Sequence, residues 1–213
     1  LPLSFSASPF FEFTREFMNF EPEAWSLRWY RQMVGISSIG DTTVVTDKWM
    51  MGTRNSFFVG IVATLLATAL GTVAALGLSR PHMPFKAVLM AILISPMIVP
   101  LIITAAGMFF FYSKIGLTHT YLGLILAHTA LGTPFVVITV TATLTGFDTN
   151  LIRASQSLGA DTMRTFFKVI MPLILPGVIS GGLFAFITSF DEVVIVMFIG
   201  SVEQITIPKQ MWA

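Results

Sequence analysis

The sequence predicts an all-α polytopic membrane protein, and its composition carries that prediction. Hydrophobic residues make up 54% of the 213 residues and charged residues only 11%, whereas a soluble domain carries about 25% charged residues. Between Asn55 and Phe147 the only charged side chains are those of Arg80, Lys86 and Lys114. About 20 apolar residues cross a bilayer as a helix, so most of the chain is expected to lie in the membrane.

Four spans are expected, at residues 55–79, 87–113, 121–145 and 169–199. In the first span small residues recur at every fourth position, at Ala63, Ala67, Gly71 and Ala75. Such a seam lets a neighbouring helix approach closely, although small residues are also common in membrane helices generally. Proline removes a backbone donor, so Pro96 and Pro100 predict a bend in the second span.

Residues 1–54 are expected to hold the end of an earlier span and an extracytoplasmic or interfacial segment, and residues 55–213 the membrane domain. Aromatic and charged side chains interleave in the first part, which suits either the membrane–water interface or a small packed subdomain. The chain begins with Leu1 rather than methionine, so we expect a fragment of a longer protein. Lysine and arginine counts on the two predicted sides leave the orientation open.

One polar stretch, residues 148–168, separates the third span from the fourth. Asp148 and Thr149 are suited to cap a first short helix, because a side-chain oxygen can accept from the unpaired amides of an opening turn. Gly159 is placed to end that helix, and Asp161 to cap a second one. A compact helix–glycine–helix unit predicts a docking surface for another protein; an interfacial helix resting on lipid is the alternative.

The stretch RASQSLGADTMRTFFKVIMPLILPG, residues 153–177, resembles the cytoplasmic signature of type-1 ABC importer permeases. That signature begins Glu-Ala-Ala, continues after three residues with Gly, and closes on an apolar residue and Pro. Ala154, Gly159 and Pro176 match it, and Ser155 replaces one small residue by another. Arg153 reverses the charge of the usual glutamate, so a contact made by that glutamate does not carry over to this chain.

Further motifs, RNSF at residues 54–57, SPMIVP at 95–100 and FAFITSFDE at 184–192, are similar to the spermidine/putrescine branch of these permeases. The resemblance implies a type-1 ABC importer transmembrane domain, with four of about six expected spans present. It implies a multi-pass permease of the bacterial inner membrane that forms the path for a small solute, a polyamine in this branch. In the family the signature contacts the ATPase, and the corresponding positions here are Arg153, Ala154, Ser155, Gly159, Ala160, Asp161 and Arg164.

The same resemblance implies a set of partners. A pair of cytoplasmic ATP-binding subunits would hydrolyse ATP, so this chain would be no enzyme and would bind no cofactor of its own. A second permease, identical or related, would complete the path through the lipid bilayer. An extracytoplasmic substrate-binding protein would deliver the solute, and no nucleic acid is expected among the partners.

Asp191 and Glu192 are candidate substrate-pathway residues, because they follow 22 uncharged residues, Val169 to Phe190. A carboxylate near the bilayer centre costs about 2.5–3.5 kcal/mol on insertion scales, so such groups usually face a cavity or a partner. We expect Asp191 rather than Glu192 to attract a cationic substrate; an acid that meets water at the outer boundary is the alternative. Tyr112 is a third candidate, since an aromatic face stacks on cations, although aromatic belts are common.

Other classes of protein are excluded or kept as alternatives. The sequence lacks a glycine-rich loop followed by Lys-Ser/Thr, so ATP binding by this chain is not expected. Three histidines and no cysteine give no cluster with metal-ligand spacing. A permease for another small solute, an ion-gradient-driven secondary transporter that uses Asp191 or His128, and a non-transporting scaffold stay open. Dependence of transport on ATP separates the ABC importer from the secondary transporter.

Overall fold

The computed structural model describes residues 5, 14–27, 30–31, 36–39, 42–45, 48–80 and 82–212. Ten α-helices lie in this described part: α1 (Arg15–Met18), α2 (Lys48–Leu78), α3 (Lys86–Ile98), α4 (Leu101–Ile115), α5 (Tyr121–Thr145), α6 (Asn150–Ser157), α7 (Thr162–Thr165), α8 (Met171–Phe190), α9 (Val194–Ile199) and α10 (Ile207–Met211). A π-helical turn, Phe166–Ile170, joins α7 to α8, so Thr162–Phe190 forms one helical run. Together with α2 and α5, this run is long and apolar enough to cross a membrane.

The part before α2 holds secondary structure that the all-α prediction lacked. A short 3₁₀ turn occupies Pro22–Ala24, and two strands, β1 (Ile36–Ile39) and β2 (Thr42–Val45), pair antiparallel. Ile36 lies opposite Val45 in this hairpin. The predicted end of an earlier span, at residues 1–5, falls almost wholly outside the described residues.

Small residues hold α2, α5 and α8 together at the centre of the molecule. Ala63, Ala67 and Ala75 are buried, and a Cβ at Gly71 would lie 2.7 Å from the Val136 Cβ of α5. Helix α8 approaches the same residue, since a Cβ at Gly181 would lie 2.8 Å from the Val136 Cα. The predicted seam of α2 is therefore a true close-approach surface.

The directions of these helices follow from their contacts. The ring of Phe58, near the start of α2, contacts that of Tyr121 at the start of α5, and their centroids are 5.7 Å apart. The two helices therefore run parallel. In α8 the order is reversed, because Gly177 lies beside Thr143 near the end of α5, while Ser189 pairs with His128 near its start.

The second predicted span bends more sharply than a kinked helix. Helix α3 ends at Ile98 and α4 begins at Leu101, with 104° between their axes. Pro100 supplies the N-cap of α4 and has no N–H to continue the α3 ladder, which places the break at this proline. Pro96 stays inside α3. The predicted bend is present, but residues 87–113 form two helices rather than one.

The fourth predicted span, residues 169–199, also differs from the structure. Its helical run begins at Thr162 and ends at Phe190, and α9 starts separately at Val194. The reason is Glu192, whose carboxylate Oε1 accepts from the Ile195 amide at 2.9 Å and so caps α9. The sequence is apolar on both sides of this break, so hydropathy alone predicts one continuous span. A new helix can begin inside such a stretch when one polar side chain, here that of Glu192, pairs with an amide of its first turn.

Candidate coupling and translocation sites

The coupling segment, residues 148–168, folds as two short helices with fixed ends. The Asp148 Oδ1 accepts from the Asn150 amide at 2.9 Å, and the Asp161 Oδ1 accepts from the Arg164 amide at 2.7 Å. Thr149 occupies the N-cap position without a side-chain cap bond. Gly159 has φ +83°, the left-handed conformation that closes a helix and that glycine adopts without penalty. Capping by Asp148 and Asp161 and closure at Gly159 follow the sequence-based expectation.

A hydroxyl pair joins the two short helices across the glycine. The Ser155 Oγ lies 2.9 Å from the Thr165 Oγ1, and Thr165 is only 2% exposed. Ser155 donates its single proton to the Ile152 carbonyl at 2.8 Å, so Thr165 is the donor within the pair. The angle between α6 and α7 is thus held by a partly buried hydrogen bond as well as by the turn.

The face of the coupling segment that points away from the spanning helices is exposed and partly apolar. Leu158 is 88% exposed and Met163 is 67% exposed. Among the seven predicted coupling residues, Ser155 and Ala160 are half-buried and the others are exposed: Arg153, Ala154, Gly159, Asp161 and Arg164. Exposed apolar side chains beside arginines, at or before the first turn of the spanning run, are typical of a protein-binding surface.

The coupling segment lies against the ends of the spanning helices. A cavity of about 390 Å³ separates the two parts and is lined from both sides. Its lining residues are Leu76, Ser79, Arg80, Leu144, Phe147, Thr149, Ile152, Gln156, Thr162, Thr165, Phe166 and Ile170. The end of α2 and the coupling segment are therefore on the same side of the membrane, as the alternation of spans predicts. The start of α2 lies about 45 Å away along the helix, at about 1.5 Å per residue.

The two candidate acids occupy different environments at the far end of α8. Asp191 is the C-cap residue of α8 and is exposed. Glu192 is 7% exposed, and its carboxylate holds the first turn of α9. Of the two acids, only Asp191 therefore exposes its carboxylate, while the carboxylate of Glu192 is used within the fold.

Tyr112 lies in the packed interior rather than beside the acids. Its side chain is 8% exposed and belongs to a core cluster with Leu124 of α5 and Ile195 of α9. It also lines a cavity of about 550 Å³ in the angle between α3 and α4. The described residues that line this cavity include no carboxylate, so the structure brings Tyr112 and Asp191 to no common site.

Two buried polar groups have structural roles: for His128 the sequence favours a hydrogen-bonded packing role over a proton relay, whereas the role of Asn55 was not predicted. The His128 Nδ1 lies 2.7 Å from the Ser189 Oγ, and both side chains are buried between α5 and α8. Asn55 is 2% exposed and binds a segment near the end of the chain. Its only sequence signal was its place in the RNSF motif of residues 54–57. A lone Asn or His within an apolar span, as in α2 and α5, is the pattern that indicates such buried hydrogen bonds.

Comparison with known proteins identifies the family. The model of the binding-protein-dependent transport system inner membrane component family matches residues 67–211, more than half of the chain. The chain belongs to this family. It is thus a permease of the ABC importer class and a multi-pass protein of the bacterial inner membrane rather than an enzyme.

Individual relatives extend the match beyond the family region. The spermidine/putrescine transport system permease protein PotC of Haemophilus influenzae is 28% identical over 191 residues, which cover 90% of this chain and 70% of that protein. The putrescine transport system permease protein PotI of Escherichia coli K12 is 28% identical over 202 residues, covering 89% and 66%. A permease chain of a bacterial ABC transporter that imports the acidic polysaccharide alginate shares the fold, with TM-score 0.73, 17% identity and coverage of 99% and 69%.

Proposed function

We propose that this permease forms part of the translocation path of a polyamine importer, with putrescine and spermidine as substrates. The observation that supports the substrate is the similarity to PotC and PotI, which extends over about nine-tenths of the chain. In the proposed assembly a second permease completes the path, a pair of cytoplasmic ATPase subunits binds the coupling segment, and a substrate-binding protein docks on the opposite side.

The geometry of the coupling segment supports its proposed role. A segment can transmit the closure of an ATPase dimer only if it keeps its conformation while it is displaced. Its two capped helices, the turn at Gly159 and the Ser155–Thr165 bond supply that rigidity. Leu158 and Met163 offer the apolar contacts for a groove of the ATPase, as buried anchors do at other interfaces. Arg153 is exposed on the same segment, where it can meet an acidic residue of the partner.

A continuous helix links this segment to the candidate substrate acid. The helical run Thr162–Phe190 begins in the coupling segment and ends one residue before Asp191. At about 1.5 Å per residue its ends are about 40 Å apart. A displacement of the coupling segment therefore moves Asp191, and with it the attraction felt by a cationic solute. A polyamine carries several positive charges, so an exposed carboxylate on this path would favour its entry.

Transport by the purified complex tests the proposal. The chain would be reconstituted in proteoliposomes with its partner permease, ATPase pair and binding protein, and uptake of labelled putrescine and spermidine measured. We expect uptake that requires hydrolysable ATP and that persists when ionophores collapse ion gradients. Uptake that continues without ATP on a proton gradient would identify a secondary transporter. A different solute that is accumulated while polyamines neither enter nor compete would refute the substrate assignment.

A further inference from the structure

The outer segment, residues 200–211, folds back onto the helices at the end opposite the coupling segment. It follows α9 and ends with α10, which packs against the start of α2. The His119 amide, just before α5, donates to the Ile199 carbonyl at 2.8 Å, where this segment begins. Val202 is 79% exposed and Met211 is 73% exposed on its surface.

Asn55 of α2 makes the central attachment of the outer segment. Its Nδ2 donates to the Glu203 carbonyl at 2.8 Å and to the Ile205 carbonyl at 2.9 Å. Its Oδ1 accepts from the Tyr121 hydroxyl at 2.9 Å. Both amide protons are used, and the side chain is buried. Aspartate has the same shape but no donor, so asparagine is the residue that this geometry requires.

Two further side chains, close to Asn55 in the fold, also hydrogen-bond the outer segment to the spanning helices or to the turn before α5. The Ser56 Oγ accepts from the Ile207 amide at 2.9 Å, at the first residue of α10. The Gln204 Nε2 donates to the His119 carbonyl at 2.9 Å. We define the outer clasp as the four side chains that make these bonds: Asn55, Ser56, Tyr121 and Gln204. The clasp pairs the Glu203 and Ile205 carbonyls and the Ile207 amide with buried or half-buried side chains of α2, which ties the outer segment to the spanning helices within the chain itself.

We propose that Asn55 is a positioning residue of the importer, and that the outer clasp holds the outer segment as a preformed docking surface for the substrate-binding protein. The inference rests on the proposed function. Transport by this family depends on a binding protein. In the assembly proposed above that protein docks on the side opposite the ATPases, which is the side where the outer segment lies. Exposed Glu203 stands beside exposed Val202, a mixture that fits a protein partner rather than lipid chains. A surface that is ordered before docking loses less entropy on binding.

Docking on this surface has a direct route to the translocation path. The Lys209 Nζ, in α10, donates to the Val196 carbonyl of α9 at 3.3 Å. Helix α9 starts at the cap made by Glu192, which follows Asp191 in sequence. A displacement of the outer segment would therefore move α9, and with it the link between α8 and α9 that contains Asp191. The clasp thus connects arrival of the loaded binding protein to the residues that receive the solute.

Stimulation of ATP hydrolysis by the binding protein tests the proposal in the full complex in nanodiscs. Asn55→Asp keeps the size of the side chain and loses both donors, while Tyr121→Phe removes only the hydroxyl. We expect the concentration of binding protein for half-maximal stimulation to rise about tenfold for Asn55→Asp and about threefold for Tyr121→Phe. Hydrolysis without binding protein should stay at the wild-type rate in both. Asn19→Asp makes the same chemical change at an exposed site and should leave both quantities unaltered.

The possible results distinguish failure of the clasp proposal from failure of the proposed importer function. Wild-type half-maximal concentrations in both variants would overturn the role of the clasp and leave the importer assignment intact. A parallel loss of basal and stimulated hydrolysis in Tyr121→Phe would show a general folding role and would also overturn it. A wild-type complex that the binding protein does not stimulate would refute the proposed function, and the clasp proposal with it.

Discussion

Replacing Gly71 by alanine tests whether the close packing of α2 on α5 stabilises the membrane domain. A Cβ at this position would lie 2.7 Å from the Val136 Cβ, 2.9 Å from its Cγ1 and 3.3 Å from the Thr133 carbonyl oxygen. Gly77, also in α2, provides a matched control, because no described atom outside its own helical turn lies within 4 Å of its added Cβ. Both substitutions add one methyl group to the same helix.

The magnitude follows from the overlap. Carbon atoms in favourable contact are about 3.5–4.0 Å apart, so α2 and α5 would have to separate by about 1 Å at Gly71. Overpacking of this kind costs about 1–3 kcal/mol. The gain in helix propensity from glycine to alanine is common to both variants and cancels in the comparison. We therefore expect Gly71→Ala to be less stable than Gly77→Ala by about 1–3 kcal/mol.

Unfolding of the purified protein in mixed micelles, titrated with SDS and followed by helical circular dichroism, measures this difference. Adding Val136→Gly to Gly71→Ala removes both clashing atoms, the Val136 Cβ and Cγ1, so Gly71→Ala should cost less stability in the Val136→Gly background than in the wild type. The double-mutant cycle then assigns the effect to this contact rather than to the helix. Equal midpoints for the Gly71 and Gly77 variants would refute the argument, and so would a cycle in which Gly71→Ala costs as much in the Val136→Gly background as in the wild type.

The remaining predictions concern the coupling segment and the acids. Thr165→Val removes the hydrogen bond to Ser155, worth about 1 kcal/mol, so the amount of polyamine imported per ATP hydrolysed should fall about fivefold. Thr165→Ser keeps the hydroxyl and should keep the wild-type ratio. The same import-to-hydrolysis ratio in both variants would contradict this prediction. Gly159→Ala should lower thermal stability by about 1–2 kcal/mol because of the left-handed backbone, and Gly159→Asn by less; equal losses would argue against backbone strain. Asp191→Asn should raise the KM for putrescine uptake several-fold at unchanged expression, whereas Glu192→Gln should mainly lower stability by weakening the cap of α9. An unaltered KM in Asp191→Asn would exclude that carboxylate from the path.

The coupling segment could be predicted because its signals are local. Asp148, Gly159 and Asp161 each act on groups within a few positions of themselves, so chain order alone indicates the helix starts and the turn. The seam of α2 was likewise visible as a repeat, although the sequence did not say which helix it would meet. Gly71 and Val136 are 65 positions apart, and their contact needs the tertiary fold.

Other features escaped sequence reasoning because they depend on distant partners or on one side chain. Asn55 and Glu203 are 148 positions apart, so nothing local predicts their bond. The end of α8 lies inside an apolar run, and a single acid, Glu192, decides it by capping α9. The sequence predicts a role for Tyr112 from its aromatic chemistry alone, whereas its burial in the core depends on the 104° turn between α3 and α4.

The π-helical turn at Phe166–Ile170 has a consequence for how this helix can vary. Pro172 has no N–H, and its ring crowds the carbonyl of Lys168, which accounts for the wide turn just before it. An extra residue in a turn rotates the coupling segment by roughly a quarter of a circle relative to the part of the helix that packs on α5. The direction in which the coupling segment faces is therefore set by this turn, separately from the packing of α8 on α5.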